Sequence, residues 1–219
     1  MASESLHDLE RPAPEAAPER RTGSADQLVI ACGALAREIL ALIRLNGWTH
    51  LDLTCLPAEL HNRPEKIPER VREKIRANRD RYARIWIGYA DCGTGGALDR
   101  VLAEEGGERL AGPHCYAFFA GQPDFEALHE AEPGTFYLTD YLARHFETLV
   151  VKGMKLDRHP ELLSMMFGNY TRLVYLAQID DPALDAAAQA AAERLGLAYE
   201  KRRTGYGELA DFLAETAPT

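Results

Sequence analysis

Short apolar runs and amphipathic stretches alternate along this chain. Residues 28–31 are an uninterrupted apolar run, Leu-Val-Ile-Ala, which is typical of a strand covered on both faces and predicts a first strand ending at Cys32-Gly33. From Ala34 to Leu45 the apolar positions recur every three or four residues and Asn46-Gly47 follows, so this segment is predicted to be a helix. The same pairing of strand and helix returns at 48–56 with 67–82, and at 83–89 with 97–105.

Later segments continue the alternation. Strands are predicted at 110–113, 172–178 and 197–201, and helices at 115–120, 182–195 and 208–214. Because parallel neighbours are joined by a crossover that a helix supplies, the pattern predicts an α/β fold: a mostly parallel, doubly wound sheet with helices on both faces. Residues 123–170 depart from this rhythm and carry helical periodicity, which predicts a helical insertion, or cap, packed on the sheet.

The first 27 residues differ in composition from the rest. They contain Pro12, Pro14 and Pro18 among Ala, Glu and Arg, and they show no apolar periodicity, which is typical of a disordered N-terminal tail. Residues 28–219 are then expected to form a single α/β domain that includes the helical insertion.

The charge balance limits the classes of partner. The 219 residues carry 25 Lys and Arg against 34 Asp and Glu, a net charge of −9 that argues against a nucleic-acid or anionic-membrane surface. A small-molecule substrate fits better. No apolar run approaches the roughly 18 residues that span a bilayer, and acids and prolines occupy the start of the chain, where a signal peptide needs an apolar stretch. We therefore expect a cytoplasmic protein without membrane contact, assembled as a homodimer through an apolar helix face.

Thiols and imidazoles follow the predicted strands at the points where the strands end. The four exits are Cys32-Gly33, His61-Asn62, Asp91-Cys92-Gly93 and His114-Cys115. Because ligands of parallel sheets bind outside the carboxyl ends of the strands, these side chains are expected to meet at one rim. The fourth cysteine, Cys55, falls inside the second strand and is interpreted as a small core residue.

Three thiols and an imidazole are the ligands of a metal site for zinc or iron. Cys32, Cys92 and Cys115, with His61 or His114, would supply such a set. The spacings are long and include neither a CxxC pair nor an HExxH helix, so the alternative that each cysteine is simply packed in the core stays open.

The segment Gly93-Thr94-Gly95-Gly96 leads from a strand into a helix. Its backbone N–H groups are candidates to bind a phosphate or carboxylate of a cofactor, and a tight strand-to-helix turn is the equally weighted alternative. Glu38, in the first helix, is a candidate acid or base. Tyr137 and Asn169 are candidates to line a pocket from the insertion and from the segment before the fifth strand.

Several segments, taken in order, resemble a known family. They are Ala31-Cys32-Gly33-Ala34-Leu35, residues 56–64 (LPAELHNRP), residues 89–95 (YADCGTG), His114-Cys115 with Gly121, residues 134–139 (GTFYLT) and Asn169-Tyr170. Over about residues 28–213 the chain is similar to the DUF1638 family of bacterial and archaeal proteins of unknown function. Members of that family are often found beside corrinoid-dependent methyltransferase systems, so the resemblance implies a one-carbon setting. It also implies Cys32, His61, Cys92 and Cys115 as motif residues.

Three hypotheses for function follow. The first is a metal-dependent enzyme of one-carbon or methylated-amine metabolism, a transferase or hydrolase in which Glu38 carries the proton. The second is a non-catalytic metal carrier or accessory protein that serves a corrinoid methyltransferase system. The third is a small-ligand binding domain that uses the glycine loop.

Overall fold

In residues 19–217, which the computed structural model describes, seven strands form two parallel sheets. The first sheet has the order β2-β1-β3-β4 and the second has the order β5-β6-β7. The strands are β1 (Gln27–Cys32), β2 (Leu51–Leu56), β3 (Arg84–Gly88), β4 (Glu108–Arg109), β5 (Thr135–Thr139), β6 (Arg172–Ala177) and β7 (Ala198–Arg203). The predicted α/β class with parallel strands is confirmed, and the strands divide into two sheets.

Helices connect and cover the strands. They are α1 (Ala36–Asn46), α2 (Ile67–Asn78), α3 (Ala97–Glu105), α4 (Cys115–Ala120), α5 (Gln122–Ala131), α6 (Asp140–Arg144), α7 (Leu162–Phe167), α8 (Pro182–Leu195) and α9 (Glu208–Ala214). Short 3-10 turns lie at Gly33–Leu35, Ala58–Asn62 and Pro64–Lys66, and a π-helical segment spans Glu147–Lys152. Within the described residues, no helix has the length and apolar character needed to cross a membrane.

The stretch predicted as a helical insertion contains a strand as well as helices. Strand β5 lies inside residues 123–170 and pairs with β6, with Tyr137 opposite Val174. Strand β5 consists of five residues of types that favour strands, and its partner β6 begins more than 30 residues later in the chain. Local periodicity carries no information about so distant a pairing, so the second sheet was not predicted.

Of the segment predicted as a tail, residues 1–18 lie outside the described residues. The part that is described contacts the first sheet: Arg20 pairs antiparallel with Leu53, and the Thr54 hydroxyl donates to the Glu19 carboxylate at 2.6 Å. The predicted fourth strand is shifted to Glu108–Arg109.

Each sheet has its own apolar core, and the last helix of the described residues packs against the core of the first sheet. Helix α8 covers the second sheet through Ala188, Ala191 and Ala192. Helix α9 packs on the first sheet, where the Phe212 ring meets Trp86 edge-on at 5.7 Å between centroids. The last helix, which follows β7 of the second sheet, therefore packs against the first sheet and ties the two halves together.

Candidate functional site

The carboxyl ends of β1 and β3 lie side by side. Ala31 is opposite Gly88 in the parallel register, so the residues that follow, Cys32 and Tyr89, leave the sheet as neighbours. The strands are close at this point, because a Cβ on Gly88 would stand 2.8 Å from the Cβ of Ala31. Glycine at 88 thus brings the start of the β3 loop against the end of β1.

Cys92 occupies a strained position in the loop after β3. Its φ is +51°, a left-handed conformation that residues with a Cβ rarely adopt. The backbone N–H of Cys92 donates to the Pro113 carbonyl at 2.9 Å, and that of Asp91 donates to the Gly112 carbonyl at 3.1 Å. These bonds tie the β3 loop to the segment before α4, whose first residue is Cys115. Cys92 and Cys115 are thereby brought together although 22 residues separate them in sequence.

A cavity of about 10 Å³ lies between these elements. Its polar and sulfur-bearing lining is Cys32, His61, Tyr89, Cys92 and Cys115, and apolar groups including Phe118 complete it. The volume is that of roughly one water molecule. Thiols and an imidazole that follow separate strands thus line one cavity.

Cys32 and His61 make a direct contact. The Cys32 side chain is 3% exposed, and its Sγ lies 3.6 Å from Nδ1 of His61. The same nitrogen is 3.0 Å from the Ala58 carbonyl oxygen, so Nδ1 carries the proton and Nε2 is left as the nitrogen with a lone pair in the neutral ring. The electrostatic interaction with the Cys32 sulfur raises the pKa of His61 well above its ordinary value, and contacts with Cys92 add to this effect while desolvation opposes it.

The four candidate donor side chains, Cys32, His61, Cys92 and Cys115, are not arranged as a metal site in this structure. Within residues 19–217, no group of three or more His, Cys, Asp or Glu side chains is arranged to hold a metal ion. Burial raises the pKa of the Cys115 thiol well above its ordinary value, and the neighbouring sulfurs Cys92 and Cys32 raise it further. In chemical type, three sulfurs and an imidazole nitrogen fit zinc or iron.

His114 points to a different environment from His61. It precedes α4, and its ring lies 6.4 Å from that of Tyr116 and 6.5 Å from that of Phe125. Tyr137 belongs to the same aromatic cluster, with ring centroids 5.0 Å from Phe125 and 5.6 Å from Tyr116. Of the two candidate imidazoles, the structure places His61 at the cavity and His114 in the aromatic cluster.

The other predicted residues are dispersed. In the glycine loop, the Gly95 and Gly96 N–H groups donate to the Asp91 carboxylate at 3.2 and 2.8 Å, and the Thr94 hydroxyl donates to it at 2.8 Å. The loop amides are therefore bonded inside the turn that positions Cys92. Gly93 is exposed and packs near Pro64, and Asn169 is exposed beyond α7.

Glu38 lies at the contact between the two halves of the molecule. It is 6% exposed, and its Oε2 has no hydrogen-bond partner among the described residues. Burial raises its pKa from 4.5 to about 7; its backbone N–H and the cations Arg144 and Arg37 oppose this, and Asp140 adds to it. Tyr141, on α6, is within electrostatic range of both Glu38 and Cys32.

Tyr89 is a residue of the site that the sequence patterns did not single out. Its side chain is 1% exposed, its ring stacks on His61 at 6.3 Å between centroids, and it borders the cavity. The signal in the sequence that could have identified it is its position, directly after a buried strand and three residues before Cys92.

Comparison with known proteins gives one match. Residues 55–213 match the family described as Protein of unknown function (DUF1638), which includes His61, Cys92 and Cys115 and begins after Cys32. No curated protein and no solved structure matches the chain. Since the match covers most of the sequence, the chain belongs to the DUF1638 family.

Proposed function

We propose that the protein is a metal-dependent enzyme whose zinc or iron ion is held by Cys32, His61, Cys92 and Cys115. The observation that supports this most is that all four side chains border one cavity of about 10 Å³, roughly the space of one water molecule or one ion. Three thiolates and an imidazole suit a borderline metal. A bound metal would supply Lewis-acid chemistry and lower the pKa of a thiol or water.

Each donor has a local feature that suits this role. The Ala58 carbonyl fixes the proton on Nδ1 of His61 and so orients Nε2 as the ligand nitrogen, as backbone carbonyls do for metal-bound histidines. Cys92 and Cys115 are half-buried, and the bond from the Cys92 N–H to the carbonyl of Pro113, two residues before Cys115, holds the two segments together. Metal binding would displace the protons that the thiols and imidazole hold.

An enzyme fits the burial of the site better than a carrier does. A carrier needs an exposed and labile site, whereas Cys32 and Tyr89 are 3% and 1% exposed and lie at the inner wall of the cavity. Glu38 does not border the cavity; a carboxyl with a pKa of about 7 exchanges protons at neutral pH, and its role as the proton carrier stays a prediction. The one-carbon setting and a corrinoid methyltransferase partner stay predictions from the resemblance.

Metal analysis of protein purified without oxygen tests the proposal. After loading with Zn²⁺ or Fe²⁺, we expect one ion per chain, and Cys32→Ser, Cys92→Ser and Cys115→Ser should each lose most of it. Cys55→Ser is the matched control, since Cys55 is buried on β2 and does not border the cavity. Wild-type protein that retains no stoichiometric metal, or equal loss in Cys55→Ser, refutes the metal site. Slow transfer to a chelator supports an enzyme, and rapid transfer supports a carrier.

A second candidate function is nucleophilic catalysis by Cys32 itself. The 3.6 Å contact with His61 and the raised pKa of that imidazole favour a thiolate–imidazolium pair, which is the activated form of a catalytic cysteine. Metal-free protein that is alkylated selectively at Cys32 by iodoacetamide, with the reaction slowed in His61→Ala, would favour this candidate over the metal site.

A further inference from the structure

A second and larger cavity, which we call the β7 cleft, lies at the carboxyl end of β7. Its walls are residues 119–121, α5, residues 202–204 and the start of α9, and none of its lining residues borders the thiol cavity. Its volume is about 600 Å³, within the range of about 300–1,000 Å³ that is usual for small-molecule sites. Since ligands of parallel sheets bind outside the carboxyl ends of the strands, the cleft lies where a ligand is expected.

The walls of the β7 cleft are fixed to one another. The backbone N–H of Gln122, the first residue of α5, donates to the carboxylate of Glu208, the first residue of α9, at 2.9 Å, and the Gln122 side-chain amide donates to it at 3.3 Å. Gly207 has a φ of +49°, and a Cβ at this position would overlap the carbonyl oxygens of Phe118 and Phe119. Glycine thus allows the start of α9 to pack against α4, and the cleft is formed without a ligand.

Two carboxylates in the β7 cleft have no partner of their own. Asp124 belongs to α5 and Asp211 to α9, and both residues are exposed. Within residues 19–217, neither side chain has an ion pair or a hydrogen bond, whereas the Glu208 carboxylate is already used by Gln122. The two unpaired carboxylates therefore favour a positively charged group in the cleft.

The end of β7 contributes cations to the same cleft. Arg203 is paired with Asp180, and Arg202 uses its Nε to donate to Glu200 at 2.6 Å. The two terminal nitrogens of Arg202 have no partner among the described residues, so one edge of its planar guanidinium group is free. Such an edge matches the two oxygens of a carboxylate.

We propose that the β7 cleft binds a small zwitterion, a molecule with an ammonium group and a carboxylate joined by a short hydrocarbon chain. The ammonium group lies beside Asp124 and Asp211, and the carboxylate lies on the free edge of Arg202. The buried side chains of Phe119 and Leu128 give the chain an apolar surface. An anion alone would face two carboxylates, and an amine alone would leave Arg202 without its partner. The proposal is independent of the metal site, because the two cavities share no lining residue.

Calorimetric titration of the full chain with unbranched ω-amino acids, from glycine to 6-aminohexanoate, tests the ligand class. We expect at least one of them to bind with one molecule per chain. For the member that binds most tightly, the simple carboxylate and the alkylamine with the same number of carbon atoms are the control ligands. Each control carries one of the two charges and should bind about tenfold more weakly or worse, since it lacks one charge-assisted interaction.

Substitutions in the cleft test its location. Arg202→Gln and Asp211→Asn should each weaken binding of the same amino acid about tenfold. Glu126→Gln and Arg70→Gln make matched changes at exposed positions outside the cleft and should bind as wild type does. No binding of any ω-amino acid at millimolar concentration overturns the proposal, and so does equal binding of either control ligand. Binding that neither Arg202→Gln nor Asp211→Asn weakens also overturns it, because the ligand then lies elsewhere.

Discussion

Replacing Glu38 by glutamine removes a carboxyl that is buried at the contact between the two halves of the protein. Glutamine has nearly the same shape and cannot ionise, so the variant isolates the effect of the charge. The carboxyl is 6% exposed and its pKa is raised to about 7 by burial. The free energy of unfolding should therefore depend on pH in wild type in a way that the variant lacks.

The sign follows from which state binds the proton more tightly. The folded carboxyl has a pKa of about 7 and the unfolded one a value of 4.5, so ionisation penalises the folded state. The penalty is absent below about pH 4.5, grows as the pH rises, and is complete above pH 7. The difference between the two values corresponds to about 3 kcal/mol, of which about 2 kcal/mol develops between pH 5.5 and pH 8.

Urea denaturation of metal-free protein at pH 5.5 and pH 8 measures this quantity. The free energy of unfolding of Glu38→Gln, relative to wild type, should rise by about 2 kcal/mol between the two pH values. Glu130→Gln is the control, because Glu130 is exposed on α5 and the variant makes the same chemical change outside the buried contact. A Glu38→Gln difference that is constant from pH 5.5 to pH 8 would refute the assignment of Glu38 as a group that is protonated near neutrality.

Three further predictions concern the first sheet and the loop after β3, each measured by urea denaturation of metal-free protein. Since Cys92 has a φ of +51°, Cys92→Gly should be more stable than Cys92→Ala by about 1 kcal/mol; equal stability would contradict the strain at this position. Gly88→Ala should cost about 2 kcal/mol, because the new Cβ would stand 2.8 Å from that of Ala31, and a neutral effect would show that the strands separate freely. Tyr82→Phe should cost about 2 kcal/mol through loss of the 2.7 Å bond that its hydroxyl donates to the buried Asp52 carboxylate, and an unchanged free energy of unfolding would contradict a stabilising role for this bond.

Sequence patterns were sufficient for the first half of the molecule. The apolar run at 28–31 and the helix after it fix where Cys32 emerges, and the parallel-sheet rule then brings it near the later cysteines. The second half was harder, because β5 is a five-residue strand between helices and its pairing with β6 is a long-range property. Two sheets instead of one follow from that pairing.

The details of the site depend on contacts that no local pattern contains. His61 and His114 both follow predicted strands, and only the tertiary structure shows that the Ala58 carbonyl orients one ring at the cavity while aromatic rings surround the other. Tyr89 acquires its significance from the register of β3 against β1. In the glycine loop, the backbone N–H groups of Gly95 and Gly96 donate to the Asp91 carboxylate, a contact that the glycine pattern does not reveal.

X-ray absorption at the metal edge of zinc-loaded protein tests the proposed centre most directly, because it counts the sulfur and nitrogen atoms bound to the ion. The arrangement of Cys32, Cys92, Cys115 and His61 around one cavity predicts three sulfur neighbours at about 2.3 Å and one nitrogen at about 2.0 Å. A first shell made of nitrogen and oxygen without sulfur, or a metal content far below one ion per chain, would contradict it.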